Sequence, residues 1–236
     1  MMRKILLLAT VLCVAASAQA GLAMYWQDFE GMDPDDPAAL ADDGWLVFGN
    51  VFGLDWSYWY GYGPYPAPNG TGAFSNVATG EGGPDQGSQQ LVVFSDYNNA
   101  HHADGAFIES NVFQEMTVGA IDVGTTWIFS FDVKPGDIEA PSTAAAFIKT
   151  LDPGAGWAMT NFLTVDTHEF PETWSSDSIS LYIDASLEGQ ILQFGFMNVA
   201  TEYTPSGMVY DNIAFVPEPV TLALLGLGAV LIRRRR

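Results

Sequence analysis

The sequence predicts an all-β protein whose body is one antiparallel β-sandwich. Three observations predict this fold class. About ten short stretches of the body alternate apolar and polar residues, turns that contain Gly or Pro separate them, and no stretch of the body has a convincing helical period. Many short strands with frequent turns are typical of a jelly-roll-like sandwich, and the body contains no internal repeat.

The predicted elements follow one another along the body. We predict strands over residues 24–31, 44–48, 90–96, 105–110, 112–118, 126–133, 144–151, 158–165, 179–184, 191–199 and 208–215. In 126–133 the side chains of Trp127, Phe129, Phe131 and Val133 face one way, which is the clearest alternation in the chain. The Pro- and Asp-rich stretch 32–44 predicts a loop with at most one helical turn, and the glycines of 80–87 predict another loop.

A predicted targeting segment precedes the body. Arg3-Lys4 is positively charged, Ile5 to Ala16 is apolar, and Ala18-Gln19-Ala20 has the form of a cleavage site. This order is that of a secretory signal peptide, so we expect residues 1–20 to be removed and Gly21 to begin the mature chain. Because the only cysteine of the chain lies in the apolar run, the mature body should contain no disulfide and no cysteine nucleophile.

The C-terminal segment, residues 216–236, has three parts. Val216-Pro217-Glu218-Pro219 comes first, thirteen uncharged residues follow from Val220 to Ile232, and Arg233-Arg234-Arg235-Arg236 ends the sequence. The apolar run predicts a short helix that engages a membrane, with the arginines on the cytoplasmic side. The alternative is a short buried helix, since a span usually needs ~17–25 residues, but four arginines are not expected in a packed interior.

This segment resembles the PEP-CTERM protein-sorting signal of Gram-negative bacteria that make exopolysaccharide. The resemblance implies that Pro217-Glu218-Pro219 is recognised by an exosortase, a membrane transpeptidase-like enzyme, and that the segment is processed during export. The expected partners are therefore an exosortase and, transiently, the inner membrane. The expected destination is the cell surface or the extracellular matrix.

The body between these segments, residues 21–215, is strongly acidic. It holds 27 of the 28 acidic residues, all but Glu218, and only Lys134 and Lys149 of the eight basic ones. A net charge near −25 repels nucleic acid and anionic lipid, and this excludes nucleic-acid binding. The same charge attracts divalent cations such as calcium, and the alternative explanation is that it keeps an exported protein soluble in salt.

Residues 52–72 stand out because aromatic residues cluster among Gly and Pro with no period of 2 or 3.6. We interpret them as a long irregular loop. Aromatic planes stack on the C–H faces of sugar rings, so this loop predicts a platform for a polysaccharide. The candidate glycan contacts are Trp56, Tyr58, Trp59 and Tyr62. The alternative is that these aromatic side chains fold inward and cap one end of the sandwich.

The body opens with Asp28-Phe29-Glu30-Gly31 and closes with Val209-Tyr210-Asp211-Asn212-Ile213. In this respect it resembles the jelly-roll architecture of carbohydrate-binding modules. The resemblance implies that the first and last strands lie side by side and that acids at these two places help to bind a structural calcium ion. The candidate ligands are Asp28, Glu30 and Asp211, and the alternative is that all three are solvated acids at strand edges.

The sequence carries no catalytic signature. A Gly-x-Ser-x-Gly elbow, a Walker loop and an HExxH motif are all missing. Glu109 and Glu115 are the best pair of carboxylates for glycoside hydrolysis, although so acidic a chain produces such pairs by chance. We therefore expect a non-catalytic, exported surface or exopolysaccharide-matrix protein. A glycan-binding module that uses residues 52–72 is the first alternative, and a polysaccharide hydrolase is the second.

Overall fold

The computed structural model describes residues 21–219, which form a sandwich of two six-stranded antiparallel sheets. Its strands are β1 (Tyr25–Gln27), β2 (Leu46–Phe52), β3 (Tyr58–Pro66), β4 (Ser75–Thr79), β5 (Gln89–Val93), β6 (Phe107–Thr117), β7 (Thr126–Ile138), β8 (Thr143–Asp152), β9 (Ala158–Asp166), β10 (Ser175–Tyr182), β11 (Ile191–Ala200) and β12 (Ser206–Pro217). The loop before β2 contains one helical turn, α1 (Ala39–Asp42), as predicted.

Each sheet mixes strands from both halves of the chain. Sheet I has the order β10-β7-β12-β5-β4, and β1 also pairs with β12; sheet II has the order β3-β2-β6-β11-β8-β9. One side of β12 faces β7, while β5 and β1 share its other side, along Met208–Tyr210 and Ile213–Phe215 respectively. The first and last strands are therefore neighbours, which confirms what the jelly-roll resemblance implied.

Alternating aromatic side chains fill the space between the sheets. Phe194 and Phe196 of sheet II are fully buried, and each stacks on a ring of β12 in sheet I. The ring centroids are 4.3 Å apart for Phe194 and Phe215, and 3.6 Å apart for Phe196 and Tyr210. Aromatic pairs add roughly 0.5–1.5 kcal/mol beyond the area that they bury, so these stacks bind the sheets strongly. On β7 the predicted inward face is confirmed, since Phe129 is fully buried.

Several predicted strands differ from the structure in their bounds, and β4 was not predicted; two of these differences have a clear physical cause. Residues 105–110 and 112–118 form the single strand β6, because the polar residues at its centre are hydrogen-bonded rather than solvated. Ser110 Oγ accepts from the backbone N–H of Asp96 at 2.8 Å, and Asn111 Nδ2 donates to Glu109 Oε1 at 2.9 Å. The first strand ends at Gln27 rather than at residue 31, because Phe29 has a left-handed φ of 59° and begins a turn.

The segment 52–72 is not an irregular loop, since residues 58–66 form β3 at the edge of sheet II. Pro64 and Pro66 are compatible with an edge strand, where the outward side needs no backbone donor. The register of β3 against β2 shifts twice, between Val47 and Gly49 and between Val51 and Phe52. These shifts break the two-residue period, and a strand without its period is not visible in the sequence.

Candidate functional site

The predicted calcium ligands lie around a β-bulge of β12. Asp211 is fully buried there and pairs across the strands with Asp132 of β7. Asp211 Oδ2 accepts no hydrogen bond from any residue between 21 and 219. Burial first, then the carboxylates of Asp132, Asp28 and Glu30, raise the pKa of Asp211 to about 7.

The neighbours of Asp211 are held in different ways. Asp132 is satisfied, because its two oxygens accept from Ser176 Oγ, Gln86 Nε2 and Asn212 Nδ2 at 2.5–2.8 Å. Glu30 Oε1 accepts from the backbone N–H groups of Ser88 and Gln89, both at 2.6 Å, and these bonds lower the pKa of Glu30.

The described part of the chain contains no group of three or more His, Cys, Asp or Glu side chains placed to hold a metal ion. The free oxygen of Asp211 nevertheless fits a cation, because a buried carboxylate beside a like charge lacks a counterion. If calcium binds, Asp211 is the side chain with an oxygen free to hold it, because Asp132 already accepts three hydrogen bonds, and the ion would supply the missing positive charge.

The predicted glycan contacts lie along and beside edge strand β3. Trp56, Tyr58 and Trp59 are 56, 60 and 47% exposed. Trp56 stacks on Phe107 with a centroid distance of 4.4 Å, whereas Trp59 meets the edge of the His101 ring at 5.5 Å. Trp56 and Tyr58 both pack against Phe52, with centroid distances of 5.8 Å, whereas Trp59 packs against His101, so the three rings do not share one neighbour.

Tyr62 differs from the other three because its contacts are internal. Its hydroxyl donates to Asp96 Oδ2 at 2.7 Å, and its ring meets the buried Phe74 at 6.2 Å. Burial is the largest cause of a pKa of Tyr62 raised above the ordinary value of a tyrosine. The inward-folding alternative therefore describes Tyr62, whereas Trp56, Tyr58 and Trp59 are exposed but do not form one platform.

A cleft of about 370 Å³ opens on the outer face of sheet II, and the sequence did not predict it. This volume lies within the range of small-ligand pockets. Residues of β2, β6, β8 and β11 form its floor, and the rim comes from Pro64 of β3 and from the loop between β8 and β9. Its lining is Phe48, Asn50, Pro64, Phe113, Glu115, Lys149, Leu151, Trp157 and Gln193.

One row of polar side chains crosses the floor of this cleft. Glu115, Gln193 and Lys149 are directly paired on adjacent strands, so their Cβ atoms lie about 4.5–5.5 Å apart. Gln193 Nε2 donates to Glu115 Oε2 at 2.7 Å, while Gln193 Oε1 has no partner among the described residues. The row therefore offers a ligand the ammonium group of Lys149 and the exposed carboxylate of Glu115, whereas Gln193 Oε1 is buried.

Lys149 is unusual because its ammonium group lies against aromatic rings. Its Nζ is 5.1 Å from the centroid of Phe147 and 5.7 Å from that of Phe113. Burial lowers the pKa of Lys149, and the nearby carboxylates of Glu109 and Glu115 oppose that shift. The other lysine of the body, Lys134, pairs with Glu81 at 2.7 Å, so Lys149 is the lysine available to a ligand in the cleft.

Trp157 overhangs the cleft from the β8–β9 loop. Its indole is 61% exposed, although its backbone has a left-handed φ of 67°. Such a conformation costs roughly 1–3 kcal/mol in a residue other than glycine, and it persists only where the surroundings enforce it. The Trp157 N–H donates to Asp152 O at 2.8 Å, and Asp152 Oδ1 accepts from Gly154 N at 2.8 Å. The loop thus fixes the backbone from which an exposed indole projects.

Sequence reasoning missed Trp157, Lys149 and Gln193 as functional residues. The turn signal Asp152-Pro153-Gly154 was visible, and an exposed tryptophan just after it was the one available clue. Glu109 and Glu115 were noted as a carboxylate pair. They lie six residues apart on β6, and at about 3.3 Å per residue their Cα atoms are roughly 20 Å apart. This spacing does not suit the paired carboxylates of a glycosidase, which lie about 5–9.5 Å apart.

Between residues 21 and 219 no helix is long and apolar enough to cross a membrane. Pro217, Glu218 and Pro219 are described, and Pro217 is the last residue of β12. The remaining parts of the predicted signal peptide and sorting segment, including Ala18, Ala20, the apolar run and the arginines, lie outside the described residues.

Comparison with known proteins gives matches among solved structures only. No family model matches the chain, and no curated protein matches it. A CBM22-1 xylan-binding domain from Paenibacillus barcinonensis Xyn10C is similar with a TM-score of 0.43 and 13% identity, covering 85% of this chain and 97% of that one. The enzymatically active domain of tailspike protein 4 from bacteriophage CBA120 gives 0.45 and 14%, covering 79% of this chain.

The CBM22-1-GH10 modules of Clostridium thermocellum xylanase 10B, complexed with xylohexaose, give a TM-score of 0.41 and 13% identity, covering 82% of this chain. This chain spans 21% of the tailspike chain and 28% of the xylanase chain. All three TM-scores lie below 0.5, so the function of this protein has to be inferred from its own contacts.

Proposed function

We propose that this protein binds an uncharged polysaccharide in the cleft on the outer face of sheet II. The observation that carries the proposal is the exposed indole of Trp157, held in a strained backbone conformation above a row of polar side chains. The indole offers a stacking plane for one face of a sugar ring. Lys149 and Glu115 offer a donor and a carboxylate acceptor to its hydroxyl groups.

The chemistry of the cleft favours a neutral chain over an anionic one. One lysine lies there together with Glu115, and the whole body is acidic, so a uronate chain would be repelled. The separation of Glu109 and Glu115 favours binding over hydrolysis. We infer a non-catalytic role because the sequence carries no catalytic signature and because this pair of carboxylates lies too far apart for glycoside hydrolysis.

We also propose that the protein acts outside the cell, as the signal peptide and the PEP-CTERM resemblance suggest. An exosortase would then process the segment that follows β12, and the polysaccharide would be a component of the extracellular matrix. A surface or matrix protein that binds glycan combines the two sequence-based hypotheses, and neither excludes the other.

Affinity electrophoresis tests the binding proposal. The protein is run through gels that contain xylan, mixed-linkage β-glucan, galactomannan or alginate. We expect at least one of the three neutral polysaccharides to retard the protein and alginate to have little effect. Trp157→Ala should weaken the retardation by about tenfold or more, because a central aromatic contact commonly contributes that much to binding.

Two further variants make this test specific. Trp26→Ala is the matched control, because Trp26 is 62% exposed and lies on β1 of sheet I. It should bind as the parent protein does. Lys149→Met removes the ammonium group and keeps an apolar stem against the two phenylalanine rings, so it should weaken binding while the fold is retained. Equal losses in Trp157→Ala and Trp26→Ala, or no retardation by any neutral polysaccharide, would overturn the proposal.

A further inference from the structure

A second pocket, of about 480 Å³, lies against the outer face of sheet I. It is separate from the cleft, and no residue lines both. Strands β4, β5, β7 and β12 and the β11–β12 turn contribute to it. The aromatic rings of its lining are Phe94, Tyr97 and Tyr203, and polar side chains are supplied by Thr71, Asn76, Asp137 and Ser206.

The rings of Tyr97 and Tyr203 form an aromatic wall of this pocket, and His102 packs behind them. The imidazole is fully buried and stacks between Tyr97 and Tyr203, with centroid distances of 5.4 and 4.9 Å. Burial lowers the pKa of His102, so the ring between the two tyrosines is neutral. Tyr97 is also fixed at its hydroxyl, which donates to Thr204 O at 2.9 Å. The wall is therefore preorganised, which reduces the entropy lost when a ligand binds.

The turn that presents Tyr203 is strained. Glu202 and Tyr203 have left-handed φ values of 49° and 58°, and the Thr204 N–H closes the turn on Thr201 O at 2.8 Å. Two successive left-handed residues are typical of a type I′ turn, in which Asn-Gly is the favoured pair. Tyr203 is neither asparagine nor glycine, the residues that adopt this conformation easily, and it is 49% exposed. A strained position that displays an exposed aromatic ring indicates a function for that ring.

Three of the four polar side chains of the pocket are free to bind, whereas the fourth, Ser206, is buried and already bonds to the Ser95 N–H and the Tyr97 hydroxyl. Within the described residues, the side chains of Asp137, Asn76 and Thr71 form no hydrogen bond, and no lysine, arginine or histidine lines the pocket. An amide, a hydroxyl and a carboxylate together present donors and acceptors beside an aromatic wall. A polyhydroxylated ring would use all of these groups. A quaternary ammonium ion would use the aromatic rings and Asp137, but would leave the amide and the hydroxyl without a partner.

From this arrangement we propose that the pocket is a second saccharide site, which binds one neutral sugar residue against Tyr203. Its volume of about 480 Å³ lies within the range of small-ligand pockets. With one site on each sheet, the protein would be able to hold two polysaccharide chains at once. This site does not depend on the cleft, since the two have no lining residue in common.

Saturation-transfer NMR on the secreted protein tests the second site. The Trp157→Ala variant serves as the background, so that the cleft is disabled, and the probes are glucose, mannose, galactose, xylose and choline. We expect at least one sugar to give a signal in this background. Tyr203→Phe should retain the signal because the ring is kept, whereas Tyr203→Asn should weaken binding by about tenfold or more, although asparagine tolerates the left-handed conformation.

Glu202→Asn is the matched control. It relieves strain at the neighbouring position of the same turn and leaves the aromatic wall intact, so its melting temperature should rise while sugar binding stays unchanged. Three results would overturn the second site: no sugar signal in the Trp157→Ala background, a signal from choline alone, or equal losses in Tyr203→Asn and Glu202→Asn. Failure of the cleft would appear separately, as gel retardation that does not depend on Trp157.

Discussion

Replacing Asp211 by Asn should change how stability depends on pH and calcium. The pKa of Asp211 is raised from 3.8 to about 7 by burial and by Asp132, Asp28 and Glu30. A carboxyl group whose pKa is higher in the folded state stabilises the fold while it is protonated, and this contribution is lost as the pH rises through the folded pKa. Without calcium, the stability of the parent protein should therefore fall between about pH 4 and pH 7.

The size of this effect follows from the shift. Each pKa unit is worth about 1.4 kcal/mol, so a shift from 3.8 to about 7 sets an upper limit of about 4 kcal/mol across the window. In EDTA at pH 7.5, Asp211→Asn should be more stable than the parent protein, because the amide has no charge to bury. Urea unfolding followed by tryptophan fluorescence, at half-unit steps from pH 4 to 8, measures both quantities.

Calcium should reduce the advantage of Asp211→Asn over the parent protein. An ion bound at Asp211 supplies the missing positive charge, and at a concentration of 100 times its Kd it would stabilise the fold by about 2.7 kcal/mol. The parent protein should gain stability with calcium, and Asp211→Asn should not. Asp35→Asn, which changes an exposed acid of the α1 loop, should behave as the parent does. The same pH slope in Asp211→Asn and the parent would refute the buried-acid argument, and an equal calcium response in both would refute the ion site.

Two other predictions concern residues assigned from the sequence. Tyr62→Phe should destabilise the fold by about 1 kcal/mol in urea unfolding, because it removes the hydrogen bond to Asp96. The variant should be retarded by polysaccharide as much as the parent protein is. A loss of retardation without a loss of stability would show instead that Tyr62 contacts the glycan. The protein secreted by a Gram-negative host should begin at Gly21 in its intact mass, and a mass that includes residues 1–20 would exclude the signal peptide.

Strands with a clean two-residue period could be predicted from the sequence. In β7 the period is undisturbed over 126–133, and its apolar face is the face that packs against sheet II. Strand β3 lacks this period because it lies at an edge and its register shifts twice. Strand β6 looked interrupted because Ser110 and Asn111 are polar, and only the partners supplied by other elements explain why they are buried.

The cleft depends on information that no single segment contains. Glu115, Gln193 and Lys149 are separated by dozens of residues in the chain and form one row only through the register of β6, β11 and β8. Asp211 is the opposite case, since the resemblance pointed to it and the structure shows its oxygen buried without a partner. Its carboxylate neighbour Asp132 was not predicted, because a cross-strand pairing is not visible in the sequence.

The position of β12 has a mechanical consequence. This strand lies inside sheet I, with β7 on one side and β5 and β1 on the other, and the Glu218 N–H still donates to Thr126 O at 2.8 Å. Any tension applied to the chain beyond Pro219 therefore acts along β12. The hydrogen bonds on both sides of the strand share that load in shear, instead of opening one after another from a free edge. Force on this end of the protein should consequently meet a slow, rate-limited unfolding step.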